Sequence, residues 1–194
     1  MISETDIEKL FGNELNEISD TDIRNKVVKA WLIGCQRGGW NSIEELEKMP
    51  FTLLTNTHKI NFIEHTKAVT WGAFHLAKAQ VKNYQKLPYT INFDRLFAGG
   101  LLHDVGKLLE AEKDGEGGYR KSHSGKCARH PISGAILAAE VDLSEEIVNT
   151  IACHAKEGDG RPQVIETVFI HQADFATFNP LVMKEKGLLI ENEK

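Results

Sequence analysis

The chain has 194 residues, 41% hydrophobic and 26% charged, enough for one medium domain with a real core and no need of cross-links. A formal net charge of −5 argues against an extended nucleic-acid footprint, because phosphate backbones select basic surfaces, yet it leaves room for a small phosphorylated ligand on a local basic patch. Cys35, Cys127 and Cys153 are odd in number and form no CxxC pair, which excludes a disulfide framework or a thiolate zinc site and points to a reducing, cytoplasmic setting.

The amino-terminal MISETDIEKLFGNEL carries acids where a signal peptide would carry a basic patch, and no apolar run approaches the length of a membrane span. Strand signals are nearly absent, so the predicted fold is all-α. Asp20 and Thr21 can cap a helix through DIRNKVVKAWLIGC, ended by Gly38-Gly39. Ser42 caps the short IEELEKM, which stops at Pro50. A long helix is predicted from Asn61 to Lys86, with Phe62, His65, Val69, Ala73 and Leu76 on one face. Asp94 is expected to cap a continuous helix, RLFAGGLLHDVGKLLE. Residues 112–129, rich in Gly and charge, read as a mobile loop. Pro131 suits a helix start, which places His130 at its edge. Ser144 caps EEIVNTIACHAK, with Ile147, Ile151 and His154 on one face. Pro162 opens a last helix to Phe178, and residues 180–194 form a tail, frayed or lightly docked.

His65, His103, His130 and His154 fall on, or at the start of, four different helices, and Asp104 and Asp174 add two carboxylates. Such groups are costly to bury without partners. A divalent cation gives all of them the same partner, since imidazole and carboxylate together suit Zn, Mn, Fe and Ni. Any one of these histidines alone is better read as a cap or a satisfied core residue; the set favours a metal. Among the others, His75 faces elsewhere on the long helix, His58 and His123 lie in loops, and Cys153 is read as a buried hydrophobe. His171 reads as a core histidine, with a supporting contact to Asp174 as the alternative.

The segments NFIEHTKAV, LLHDVGK, RHPISGAILA, CHAKEGDG and HQADF together resemble the HD-domain superfamily of metal-dependent phosphohydrolases, an all-helical bundle with its metal site between helices. The resemblance covers roughly residues 60–178. It implies residues 1–59 as helices packing on the bundle, 60–179 as the catalytic core and 180–194 as the tail. It further implies that His65, His103, Asp104 and Asp174 ligate one metal, with Asp104 bridging to a second held by His130 and His154. Mn, Fe, Mg, Ni and Zn are the candidate ions. Relatives acting on cyclic dinucleotides carry HHE where this chain has His154-Ala155-Lys156, and their GYP triplet is absent.

The implied function is hydrolysis of a small phosphate ester or nucleotide by a metal-activated hydroxide. Asp104 and Lys107 take the catalytic roles, Lys107 as an ammonium beside the metals. The basic loop 117–130, with Arg120, Lys121, Lys126 and Arg129, joins Lys156 and Arg161 as candidates for holding the anionic groups. The expected partner is a small phosphorylated substrate, with no membrane and no extended nucleic acid, and a homo-oligomer is left open. Two alternatives stand beside this one: a di-iron oxygenase cleaving a carbon bond with dioxygen, and a metal-bound sensor without turnover.

Overall fold

Capping side chains mark the starts of several helices in the computed structural model, which describes residues 1–190. Ser3 and Asp6 form a capping box at α1 (Glu4–Leu10), which leads into α2 (Gly12–Asn16). These two helices are too short to leave a periodic signal in the sequence. The Asp20 carboxylate accepts the first N–H groups of α3 (Thr21–Gly38), and Gly39 ends that helix at φ 75°. After α4 (Ile43–Lys48), Asn61 and Glu64 box the start of α5 (Phe62–Asn83). The chain continues through α6 (Phe93–Leu102), α7 (Lys107–Glu110), a hairpin of β1 (Ala111–Lys113) and β2 (Tyr119–Lys121), then α8 (His123–Cys127). It closes with α9 (His130–Glu140), α10 (Glu145–Cys153) and α11 (Ile165–Glu185). The fold is all-α, as expected. In it α5 lies along α6 and α11, α9 along α10, and α3 crosses α6, α7 and α9. No helix among the described residues is long and apolar enough to cross a membrane.

Several expectations need correction. The cap of α6 is Asn92, whose side chain accepts from Arg95 N–H; Asp94 instead accepts from Ser19 and Asp20, tying α6 to the start of α3. The continuous helix 95–110 breaks at residues 103–106 into a turn of i→i+3 bonds, such as Val105 N–H to Leu102 and Lys107 N–H to Asp104. The expected mobile loop is ordered: Glu112 faces Arg120 across a hairpin whose turn is held by the Asp114 carboxylate, and His123 lies in α8, not in a loop. Strands of three residues are too short to show alternation. Leu76 is exposed, and Ala77 takes the buried position on α5. Ser42 and Ser144 sit at cap positions without bonding the backbone through their hydroxyls. The last helix begins at Ile165 rather than Pro162, because Asn149 takes the Val164 N–H. It also runs through Pro180, which has no N–H to bond Ala176; residues 191–194 of the expected tail lie outside the described residues.

The first sixty residues brace the turn that carries His103 and Asp104. Trp31 is fully buried between Phe11 and Phe62, with ring centroids 4.8 and 5.4 Å away. Its indole N–H donates to the Leu101 carbonyl, released where α6 gives way to the turn (3.0 Å). Trp40 does the same for Leu108 at the end of α7 (2.8 Å). On the other side, α9 rests directly on the turn. A Cβ on Gly106 would lie 2.1 Å from the His130 carbonyl oxygen and 2.6 Å from Gly134 N. Those neighbours are backbone and cannot swing aside. Gly106→Ala is therefore expected to cost about 1–3 kcal/mol or more, read by chemical denaturation. Gly12→Ala, where nothing lies within 4 Å, should leave the midpoint unchanged or raised.

Candidate metal centre

Five elements deliver the site. His65 comes from α5, His103 and Asp104 from the turn after α6, His130 from the first position of α9, His154 from the C-cap of α10, and Asp174 from α11. Three of these positions are at helix ends, where a side chain reaches the axis of the bundle without a full turn of backbone in the way. All four histidines and Asp104 are buried.

The Asp104 carboxylate lies at the middle. Its Oδ2 is 3.3 Å from His65 Nε2 and 3.3 Å from His103 Nε2, and its Oδ1 is 3.2 Å from His130 Nε2 and 3.6 Å from His154 Nε2. Asp174 Oδ1 stands 3.2 Å from His65 Nε2. The residues form two overlapping sets, His65–His103–Asp104 and Asp104–His130–His154, with ligand atoms within 4.8 Å of one another in each.

The opposite ring edges fix the tautomers. His103 Nδ1 is 2.6 Å from the Gly100 carbonyl and His154 Nδ1 is 2.8 Å from the Ile151 carbonyl, so each Nδ1 must carry the proton and donate it. His130 Nδ1 donates to Glu110 Oε2 at 2.7 Å. Thr177 gives its own proton to the Asp174 carbonyl, which leaves its oxygen to accept from His65 Nδ1 at 3.3 Å. With Nδ1 donating, each ring in its neutral form turns an Nε2 lone pair inward, at carboxylate oxygens that also carry lone pairs. Nε2 of His65, His103 and His154 and Oδ1 of Asp104 find no hydrogen-bond partner. Buried acceptors facing acceptors are unfavourable; a divalent cation resolves the conflict. The spacing agrees, because two ligands each about 2.0–2.2 Å from one tetrahedral ion lie about 3.3–3.6 Å apart. The donor set fits a divalent metal.

Electrostatics point the same way. Burial works to raise the Asp104 carboxyl, but the Lys107 ammonium, with Nζ 2.5 Å from Oδ2, holds it well below the usual carboxylate range. Burial lowers His130 and so favours its neutral, ligating form.

A cavity of about 680 Å³ opens beside the centre, reached by His130, Asp174 and Lys107. Arg129 and Lys156 line it, as do Arg120 and Lys121 of the hairpin, while Lys126 and Arg161 do not. Arg129 pairs with Glu157 and Arg120 with Glu112, so the residues expected to hold substrate are partly engaged by carboxylates. His171 bonds the His154 carbonyl at 2.7 Å rather than Asp174, and Cys153 is partly buried.

Two contributors carry no motif. Phe51 stacks on His65 at 4.2 Å between centroids. Glu110 accepts from both N–H and Nδ1–H of His130 and pairs with Lys121 at 3.0 Å. The only signal for Glu110 was a carboxylate in the same short stretch as Lys107. Burial tends to raise the Glu110 carboxyl, and the His130 and Lys121 contacts overcome this to bring it from 4.5 to about 2. A depressed pKa stabilises the fold fully above pH 4.5 and loses that contribution as pH falls through about 2. Glu110→Gln should therefore flatten the acid limb of a denaturation profile. It should also weaken metal binding by about 10–100-fold, measured by calorimetric titration.

The HD domain family model matches residues 62–175, a span that contains every ligand described above. Ribonuclease Y of Thermotoga petrophila is 31% identical over 96 residues, 50% of this chain and 16% of that protein. Ribonuclease Y of Desulforudis audaxviator is 31% identical over 114 residues, 59% and 18% of the two chains. The enzyme of that name from Pseudothermotoga lettingae is 33% identical over 84 residues, 43% and 14%. The chain thus spans less than a fifth of the length of these curated relatives. No solved structure matches.

Proposed function

We propose that this chain, which belongs to the HD domain family, is a phosphohydrolase that holds two divalent metal ions and cleaves a small phosphate ester. The observation that carries the reading is the Asp104 carboxylate, each of whose oxygens faces its own pair of inward-pointing imidazoles. Divalent ions held there would supply an acidified water as nucleophile and charge neutralisation at the phosphoryl oxygens.

The remaining chemistry belongs to the side chains. His103 and His154, locked by backbone carbonyls, keep their Nε2 atoms aimed inward and spend no reorganisation during reaction. Lys107 lies in the cavity wall next to Asp104, so its ammonium is placed for negative charge developing on phosphate. Arg129 and Lys156 line the same cavity and are the substrate-binding candidates; Arg161 drops from that role. The relatives are named as ribonucleases, which speaks for phosphate-ester chemistry. The bounded cavity and the −5 charge favour a small phosphorylated molecule over an extended polynucleotide here.

A screen of phosphate esters and nucleotides across Mn, Mg, Ni, Zn and Fe, with metal analysis of anaerobically purified protein, tests this reading. Lys107→Ala should retain the metal content and lower kcat by about 10²–10³-fold. Asp104→Ala should lose metal and activity together, and His130→Ala should lower the metal stoichiometry from two to one. Stoichiometric iron with dioxygen consumption and no ester turnover would instead support the oxygenase.

A further inference from the structure

The cavity wall speaks to the organic part of the substrate, on the premise of the phosphohydrolase reading above. Beside the cations and the metal ligands, the lining contains Phe51, Leu53, Leu54, Phe175, Phe178 and Met49. Uncharged hydrogen-bonding side chains are scarce: Thr52 and Tyr119 alone, with no Ser, Asn or Gln in the lining. The Thr52 hydroxyl is already engaged by Leu54 N–H at 3.2 Å. A sugar or nucleoside laid against Phe51, Leu53, Leu54, Phe175 and Phe178 would surrender the hydration of several hydroxyls and find no hydrogen-bonding side chain among those residues, which is costly. Leu53 and Leu54 stand 46% and 79% exposed at this wall, on the loop closed by the Pro50–Asn61 bridge. Apolar surface kept in water beside a cavity gains most from an apolar occupant. Lys156, also in the lining, pairs with no carboxylate among the described residues and is placed to meet an anion.

We propose that the substrate is a phosphate monoester whose organic group is apolar. Its dianionic phosphate lies toward Lys107 and Lys156, and its hydrocarbon part lies on the Leu53–Leu54–Phe178 wall. In the reaction a water oxygen bonds to phosphorus and the ester P–O bond breaks. The alcohol leaves with one of the water's protons, and inorganic phosphate remains.

Binding tests this separately from turnover. Methyl-, butyl-, hexyl- and octylphosphonate titrated into the metal-loaded protein should bind progressively tighter, by about twofold to fourfold per methylene until the wall is covered. Leu53→Asn with Leu54→Asn should flatten that slope. In parallel, kcat/KM should rise from glycerol phosphate and ribose 5-phosphate to butyl and octyl phosphate, all alkanol leaving groups. A flat phosphonate series, or a preference for the sugar phosphates or mononucleotides, would overturn the apolar substrate while leaving the hydrolase intact. Cleavage of single-stranded RNA oligonucleotides with a flat series would point to a polynucleotide in the same site. A steep phosphonate series without turnover of any ester would sink the hydrolase and keep the apolar site.

Discussion

The Asp104 carboxylate sits in the protein core with two imidazole nitrogens facing each of its oxygens, and each ring in its neutral form presents a lone pair there. Four imidazoles and a carboxylate at 3.2–3.6 Å repel unless positive charge lies between them. Lys107 supplies part of that charge on the Oδ2 side, and among the described residues no Lys or Arg supplies it at Oδ1, which has no hydrogen-bond partner there. Much of the architecture answers this one demand. The Nδ1 partners of His65, His103, His130 and His154 are two carbonyls, one carboxylate and one hydroxyl, and each holds its ring so that the electrostatic conflict cannot be relieved by rotation.

Holding those rings requires an unusual use of helix ends. A continuous helix from α6 through α7 would carry His103 and Asp104 past the centre; the i→i+3 turn tightens the backbone so that both side chains face it. The tightening releases carbonyls, and the indoles of Trp31 and Trp40 take two of them from a part of the chain that lies before the family match. Gly106 then lets α9 approach closely enough for His130 to reach Oδ1. The amino-terminal helices thus support the proposed chemistry without contributing a ligand.

Much of this was legible in the sequence, and the exceptions have physical causes. The long α5 and the gathered histidines could be read because periodicity and ligand chemistry are local signals. The break after Leu102 could not, since LLHDVGKLLE has good helical spacing and the turn is imposed by tertiary partners. Asp94 looked like a cap, but Asn92 stands two residues earlier and the Ser19–Asp20 backbone competes for the carboxylate. Glu110 and Phe51 matter through contacts with His130 and His65 that no spacing encodes. The basic segment 117–130 read as a single phosphate-binding loop. Folding divides it, with Arg120 and Lys121 in the cavity lining and Lys126 outside it.

The proposed two-metal centre makes a claim about position as well as number, and anomalous diffraction from crystals grown with manganese examines both. Two anomalous peaks are expected, one on each side of Asp104, with one touching His65, His103 and Asp174 and the other touching His130 and His154. A single peak at full manganese saturation, or peaks that leave the His130 and His154 rings uncoordinated, would contradict the bridging role of Asp104.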